Sequence, residues 1–381
     1  TSSATPGAES SAGGAAVVRG TTRAGTNDFH GGAFWQHRNT ALNANYYFNN
    51  LDGLPRDRLL LNQFGGNIGG PIWRNRVFFF FNYEEFRLPQ TYGASRVLIT
   101  DLASTGVYTY RDSTGVIRNI NLLTLAANQN PLLPATVRPY ATTLDPTVAT
   151  LQNAFSQGAR SGGTIRDRIA SASDYIRQDL TFQAPGTNIR RFPTARFDWN
   201  ITKNNQLEFV YHYQQYFSDP DAVNGQLPVV PGEGIVLGAP EPVTGSIIRN
   251  AYSGAIAWRS TISSNLTNEV RATLGNGGIS IFGSEAAPGL FSGRRGYSLV
   301  WPSNWSNPQT RSSQSRRHTP IWILYDNATL IKGEHSFNFG GSFTFIKSFQ
   351  SSIGTQAIPC ITFGIAAGGP VNTGATSIFS T

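Results

Sequence analysis

Seven polar residues, Arg196, Asp198, Glu208, His212, Arg259, Glu269 and Arg271, recur at alternate positions within short β-prone runs. Side chains two apart in a strand point to the same face, so the seven line one side of a sheet. Mixed charge on such a wall can hold another segment through salt bridges and hydrogen bonds, or touch a polar solute. Of the two, contact with a protein segment is preferred. A second group, Tyr297, Trp301 and Trp305 with Arg294 and Arg295, makes an aromatic and basic loop. Such groups stack on sugar rings or aromatic solutes; the plainer alternative is a loop packed on itself or at an interface. Neither group is catalytic. The five histidines show no H-E-x-x-H spacing. The glycine-rich run Gly65 to Gly70 lacks the lysine and following helix that phosphate binding needs. Asp219 and Asp221 alone supply too few oxygens for calcium. No metal, no cofactor and no enzymatic activity are expected.

The composition excludes further classes. With 40 glycines, 12% aromatic and only 14% charged residues, the chain suits a turn-rich β protein and fits a helical bundle poorly. One cysteine, Cys360, allows no intrachain disulfide. The net charge of +8 is carried by arginine, dispersed rather than clustered as a nucleic-acid footprint would be. The pairs Arg190-Arg191, Arg294-Arg295 and Arg316-Arg317 are placed in or beside loops, where guanidinium groups can bind anionic lipid headgroups or sugar phosphates. Thr1 onward lacks the basic start and apolar core of a secretory signal, which is expected of a mature or truncated chain. Every long apolar run is broken, so no transmembrane helix is expected. Transmembrane strands give a much weaker signal and stay open.

The elements that carry the polar set alternate with period two. Ala195, Phe197, Trp199 and Ile201 lie opposite Arg196, Asp198 and Asn200. After a turn at 202–206, Leu207, Phe209, Tyr211 and Tyr213 lie opposite Glu208, His212 and Gln214. If the apolar faces agree, odd residues pair with odd; one such register sets Arg196 across from His212 and Asn200 across from Glu208. The pattern recurs around Tyr252 to Arg259 and Glu269 to Leu274, and again in the hairpin 320–350, where Phe337, Phe339, Phe343 and Phe345 share a face. Turns of about three to five residues alternate with loops of about twenty, one hundred, twenty-five and thirty-five, as in barrels with short periplasmic turns and long extracellular loops. A sandwich would space its strands more evenly.

The most distinctive stretch is Leu59 to Leu88, two apolar runs around the hinge Trp73-Arg74-Asn75-Arg76, the pattern of a tight hairpin. Gly65, Gly66, Gly69 and Gly70 point to a bend or a close approach of another backbone. Its NQFGG-x-x-GGPI, basic turn and FFFFNYE resemble the first barrel hairpin of TonB-dependent outer-membrane receptors, most of all the Oar-like subgroup. Upstream, Thr22 to Gly31 is similar to the segment where that family's plug ends and its barrel begins, and the Gly-x-His turn with FNFGG at 333–341 resembles it again.

The resemblance implies an all-β antiparallel transmembrane barrel, with about nine of the family's 22 strands present around a plugged lumen. Residues 1–26 would be the plug's C-terminal remnant, 27–350 the first part of the barrel with a long loop at 89–190 and one helix near Val148 to Phe155, and 351–381 a truncated extracellular loop. The implied function is import of a scarce solute (siderophore, glycan or peptide) when TonB pulls a plug segment expected before residue 1. Outer-membrane lipid and lipopolysaccharide would surround it, with no nucleic-acid partner. Two alternatives remain open: a surface adhesion or assembly protein on the same barrel, favoured by the long loops, and a soluble basic β protein that binds polysaccharide or nucleic acid.

Overall fold

The computed structural model describes residues 21–129, 143–144, 146–168, 174–231, 245–283, 298–300, 306, 314–353 and 360–362. Its main strands are β1 (His30–Arg38), β2 (Leu61–Trp73), β3 (Val77–Ile99), β4 (Arg177–Arg191), β5 (Thr194–Thr202), β6 (Asn205–Asp219), β7 (Ser246–Ser263), β8 (Leu266–Gly277), β9 (Ile321–Lys332) and β10 (His335–Ile346). Apart from β4 with β5, each pairs antiparallel with the next in sequence, all in one sheet. β4 and β5 both lie between β3 and β6 and keep one register with them, as in Glu85↔Arg191 and Asn82↔Thr194. They form a single stave interrupted at Phe192-Pro193, where proline has no N–H for the ladder. Nine staves result, as the alternation predicts, and among the described residues β1 and β10 do not pair with each other.

Four connections, 74–76, 203–204, 264–265 and 333–334, lie at one rim, and the long ones lie at the other. The turn at 203–204 is tighter than the expected 202–206, because Thr202 and Asn205 still pair. Odd residues do pair with odd, but the register moves by two: Arg196 faces Val210, Asp198 faces Glu208, and Asn200 faces Gln206. The expected loop 89–190 is also shorter, since β3 climbs to Ile99 and β4 starts at Arg177. In that upper wall Leu180, Phe182 and Ala184 alternate with Asp179, Thr181 and Gln183, but Pro89, Gly93, Pro185 and Gly186 interrupt the runs as loop residues do. A helix, α1 (Pro146–Arg160), packs there in a buried cluster with Ala94, Leu98, Leu180, Phe182, Ala184, Val229 and Val230. Arg190-Arg191 ends β4, beside the break at Phe192-Pro193, and Arg316-Arg317 lies within the strand Gln314–His318. The short strands Gln314–His318 and Phe349–Ile353 pair, so the ladder continues past residue 350.

The two faces invert the usual order of a soluble sheet. Gly70, Phe79, Phe197, Phe209, Ile256, Ala272, Leu324 and Phe343 form one lateral row across eight staves, and the ring of Phe29, just before β1, lies over Gly70 at its end. Phe197, Leu324 and Phe343 in this row are 43%, 52% and 67% exposed, whereas Glu208 on the opposite face is 8% exposed. On β7 the apolar band runs from Tyr252 to Ile262. At about 3.3 Å per residue and a tilt near 40°, that is about 25 Å tall, the thickness a lipid-facing band requires. No helix among the described residues is long and apolar enough to cross a membrane.

At the long-loop rim, a small hairpin (Val107–Arg111 with Ile117–Asn121) turns on Asp112. Its carboxylate accepts from the Thr114 hydroxyl, the Arg118 guanidinium, and the backbone N–H groups of Thr114 and Val116. These donors, the Thr114 hydroxyl first, hold it far below the usual carboxylate range. Because the folded group is the stronger acid, its contribution is complete above the unfolded value near ~4 and is lost only as pH falls through the depressed folded value. The amides of Thr114 and Val116 are therefore expected to stay protected from hydrogen exchange at mildly acid pH. Asp112→Ala, which removes the acceptor, should abolish that protection at all pH values; unchanged protection in the variant would contradict this role.

Candidate functional site

The polar face of β5 to β8 brings six of the seven expected charges and polar groups into one chain of contacts. The β-register sets Asp198 beside Glu208, then Ala257, then Arg271. Ala257 is buried, and its small side chain leaves the space through which the flanking arginines reach. Arg196 forms a pair with Asp198 at 2.7 Å and with Glu208 at 3.1 Å. Glu208 also meets Arg259 at 3.1 Å, Arg259 meets Glu269 at 2.6 Å, and Glu269 meets Arg271 at 2.9 Å. Three cations and three anions alternate, so the ladder is neutral and rigid rather than a field for a charged solute. Charge-assisted, partly desolvated bonds of this kind are stronger than surface pairs.

His212 is not part of it. Expected to bond Arg- or Asp-bearing neighbours, it instead lies one row up with Nδ1 2.8 Å from the Thr194 hydroxyl, and its ring stacks on Phe192. The two-residue shift of register removes it from the reach of Arg196. Arg294, Arg295, Tyr297, Trp301 and Trp305 lie outside the described residues. Asp221 closes a turn by accepting from the Asn224 backbone and side-chain N–H groups. No group of three or more His, Cys, Asp or Glu that could hold a metal exists among the described residues.

One further partner completes the ladder. Arg196 donates from Nη1 to the carbonyl of Thr22 at 2.6 Å, a contact between the wall and the segment that precedes β1. That segment is fastened at three points. Asn27 donates from Nδ2 to Asn75 Oδ1 at 2.7 Å and accepts from the Asn75 backbone at 2.8 Å, which ties it to the β2–β3 turn. Gly25 lies against the wall so closely that a Cβ would sit 2.3 Å from the Phe79 carbonyl and 2.8 Å from that of Gly70. The close backbone approach expected in the GGPI run is this one, and it needs glycine on the approaching segment as well. Gly25→Val, which meets backbone rather than a movable side chain, is expected to lift residues 21–26 off the wall. Loss of the Asn27–Asn75 contact by NMR, with strand content unchanged by circular dichroism, would register it; an intact contact would refute it.

A second cluster, on the opposite face and not singled out from the sequence, surrounds Glu85. The residue is 3% exposed. It accepts from the Tyr83 hydroxyl at 2.5 Å and from Arg87 Nε at 2.6 Å, with Arg191 Nε at 3.4 Å. The spacing Tyr83, Glu85, Arg87 in a strand was the available signal. Arg191 joins them only through the pairing of β3 with β4.

A family model described as outer membrane beta barrel domain matches residues 21–375. Among solved structures, the CymD monoaromatic hydrocarbon channel is similar at 12% identity over 78% of this chain and 71% of its own, with a TM-score of 0.17. That score is too low to carry an argument. No curated protein matches.

Proposed function

This chain belongs to the outer membrane β-barrel domain family, and from that premise we propose that it forms part of the wall of a TonB-dependent receptor. It is a protein of the bacterial outer membrane, so the apolar face meets lipid and the polar face is lumenal. The receptor would take up a scarce solute, its barrel completed to 22 strands and its lumen occupied by a plug that ends near residue 26. The observation that carries this reading is the bond from Arg196 to the Thr22 carbonyl, with Gly25 and Asn27 fastened beside it. A segment preceding the first stave is held inside by the charged ladder. Arg196, Asp198, Glu208, Arg259, Glu269 and Arg271 would act as its anchorage.

The test uses the full-length protein in planar bilayers and in detergent. A closed barrel that conducts only when the segment is released, and that retains the purified C-terminal domain of TonB, supports the proposal. Steady conductance in the wild type would sink plugging. Failure to bind TonB would leave a plugged barrel without this energy coupling. A second reading, an adhesion or assembly barrel, is favoured by the folded cap at the long-loop rim, where α1 and residues 227–230 bury their own apolar cluster. Its signature would be binding of cells or matrix that survives removal of TonB.

A further inference from the structure

The Glu85 cluster lies on the lipid face, which is an unusual place for a carboxylate. Above the apolar band, Tyr83, Tyr213 and Tyr252 form an aromatic row at the long-loop, extracellular side. The next row up is Trp35, Phe64, Glu85, Arg191, Gln215 and Asn250, and the one above it contains His37, Asn62 and Arg87. Aromatic girdles mark the membrane interface, so this cluster stands at the depth of the outer leaflet's headgroups.

Its internal geometry points outward. The Glu85 side chain is 4% exposed, while those of Arg87 and Arg191 are 53% and 38% exposed. Both arginines turn Nε toward the carboxylate, and Arg191 also bonds Gln215 through Nη1 at 2.6 Å. Glu85 therefore orients two guanidinium groups and leaves the trio with one net positive charge. In the same ladder row, across Phe64, Trp35 is 68% exposed and stacked on His37, a flat surface toward the same side. Below, on the same face, Gly254 leaves an apolar groove lined by Tyr211, Tyr252, Ile256, Leu274 and Trp322.

We propose that Arg87 and Arg191, held by Glu85 on the lipid face, bind a phosphate of the outer leaflet's glycolipid, lipid A. Guanidinium groups match phosphate oxygens bidentately, Trp35 offers a face to the sugar, and the Gly254 groove takes an acyl chain. The proposal depends on placement in the outer membrane and not on plugging or TonB, so it stands or falls separately from the transport reading.

The experiment is native mass spectrometry of the full-length protein extracted from outer membranes in mild detergent, with added lipid A as the probe. The triple variant E85Q/R87Q/R191Q removes the site without stranding a carboxylate, and heat-modifiable gel mobility verifies that it is folded. Wild type is expected to retain one lipid A, and the variant to retain it about tenfold less, the loss of one or more charge-assisted bonds. Lipid A stripped of phosphate should bind wild type as weakly as intact lipid A binds the variant. Equal retention by wild type and variant, or equal binding of stripped lipid, would overturn the proposal. Displacement by inorganic phosphate alone would also overturn it, by showing a free-anion site. If the triple variant does not fold, R191Q alone is compared in the same assay, with a smaller loss expected and no loss refuting the site.

Discussion

Arg196→Met is expected to release the segment before β1 and to destabilise the barrel wall together. The guanidinium bonds Asp198, Glu208 and the Thr22 carbonyl, and its side chain is 13% exposed. Methionine fills similar volume but donates nothing, leaving the largely buried carboxylates of Asp198 and Glu208 on adjacent staves with Arg259, paired to Glu208, as their remaining cation. Removing one member of a buried ionic group costs about 3 kcal/mol or more, mostly from the stranded partner. The unfolding midpoint in urea should fall accordingly, and trypsin should gain access to Arg23. The cost belongs to the stranded carboxylates rather than to the lost bonds. Adding Asp198→Asn and Glu208→Gln should therefore recover much of the stability while trypsin access at Arg23 remains. An unshifted midpoint with Arg23 still protected would remove Arg196 as the anchor.

Leu324→Arg is the second large effect. Leu324 is in the middle row of the apolar face, with Ala272 and Phe343 on either side. An arginine at the bilayer midplane on the lipid side of a barrel costs about 2–4 kcal/mol, whereas lumenal substitutions are far milder. Ile323→Arg, one residue away on the opposite face, is the matched control. Folding into lipid vesicles, followed by urea titration, should separate the two by most of that amount. Equal costs would mean that lipid does not distinguish the two faces, and a larger cost for Ile323→Arg would mean that they are assigned the wrong way round, because neighbouring residues on one strand share everything except side.

The alternation of Arg196, Asp198 and Glu208 with Phe197, Trp199 and Phe209 determined by itself that one face is polar and the other apolar. The rhythm of short and long connections likewise determined nine antiparallel staves. These follow from strict period two and from turn length, both local properties of the chain. Whether His212 meets Arg196 could not be read this way. Register depends on the number of residues in the turn, and a turn at 203–204 rather than 202–206 moves every cross-strand partner by two while preserving the faces. The height of the β3–β4 wall was hidden for a different reason. Leu180, Phe182 and Ala184 do alternate with Asp179, Thr181 and Gln183, but Pro89, Gly93, Pro185 and Gly186 break the runs as loop residues do. The Arg191 arm of the Glu85 cluster and the Thr22 contact were beyond sequence altogether. Arg191 is 106 positions from Glu85, and Arg196 is 174 from Thr22. Only the closing of the long connection, which sets β4 and β5 against β3, brings these groups within bonding distance.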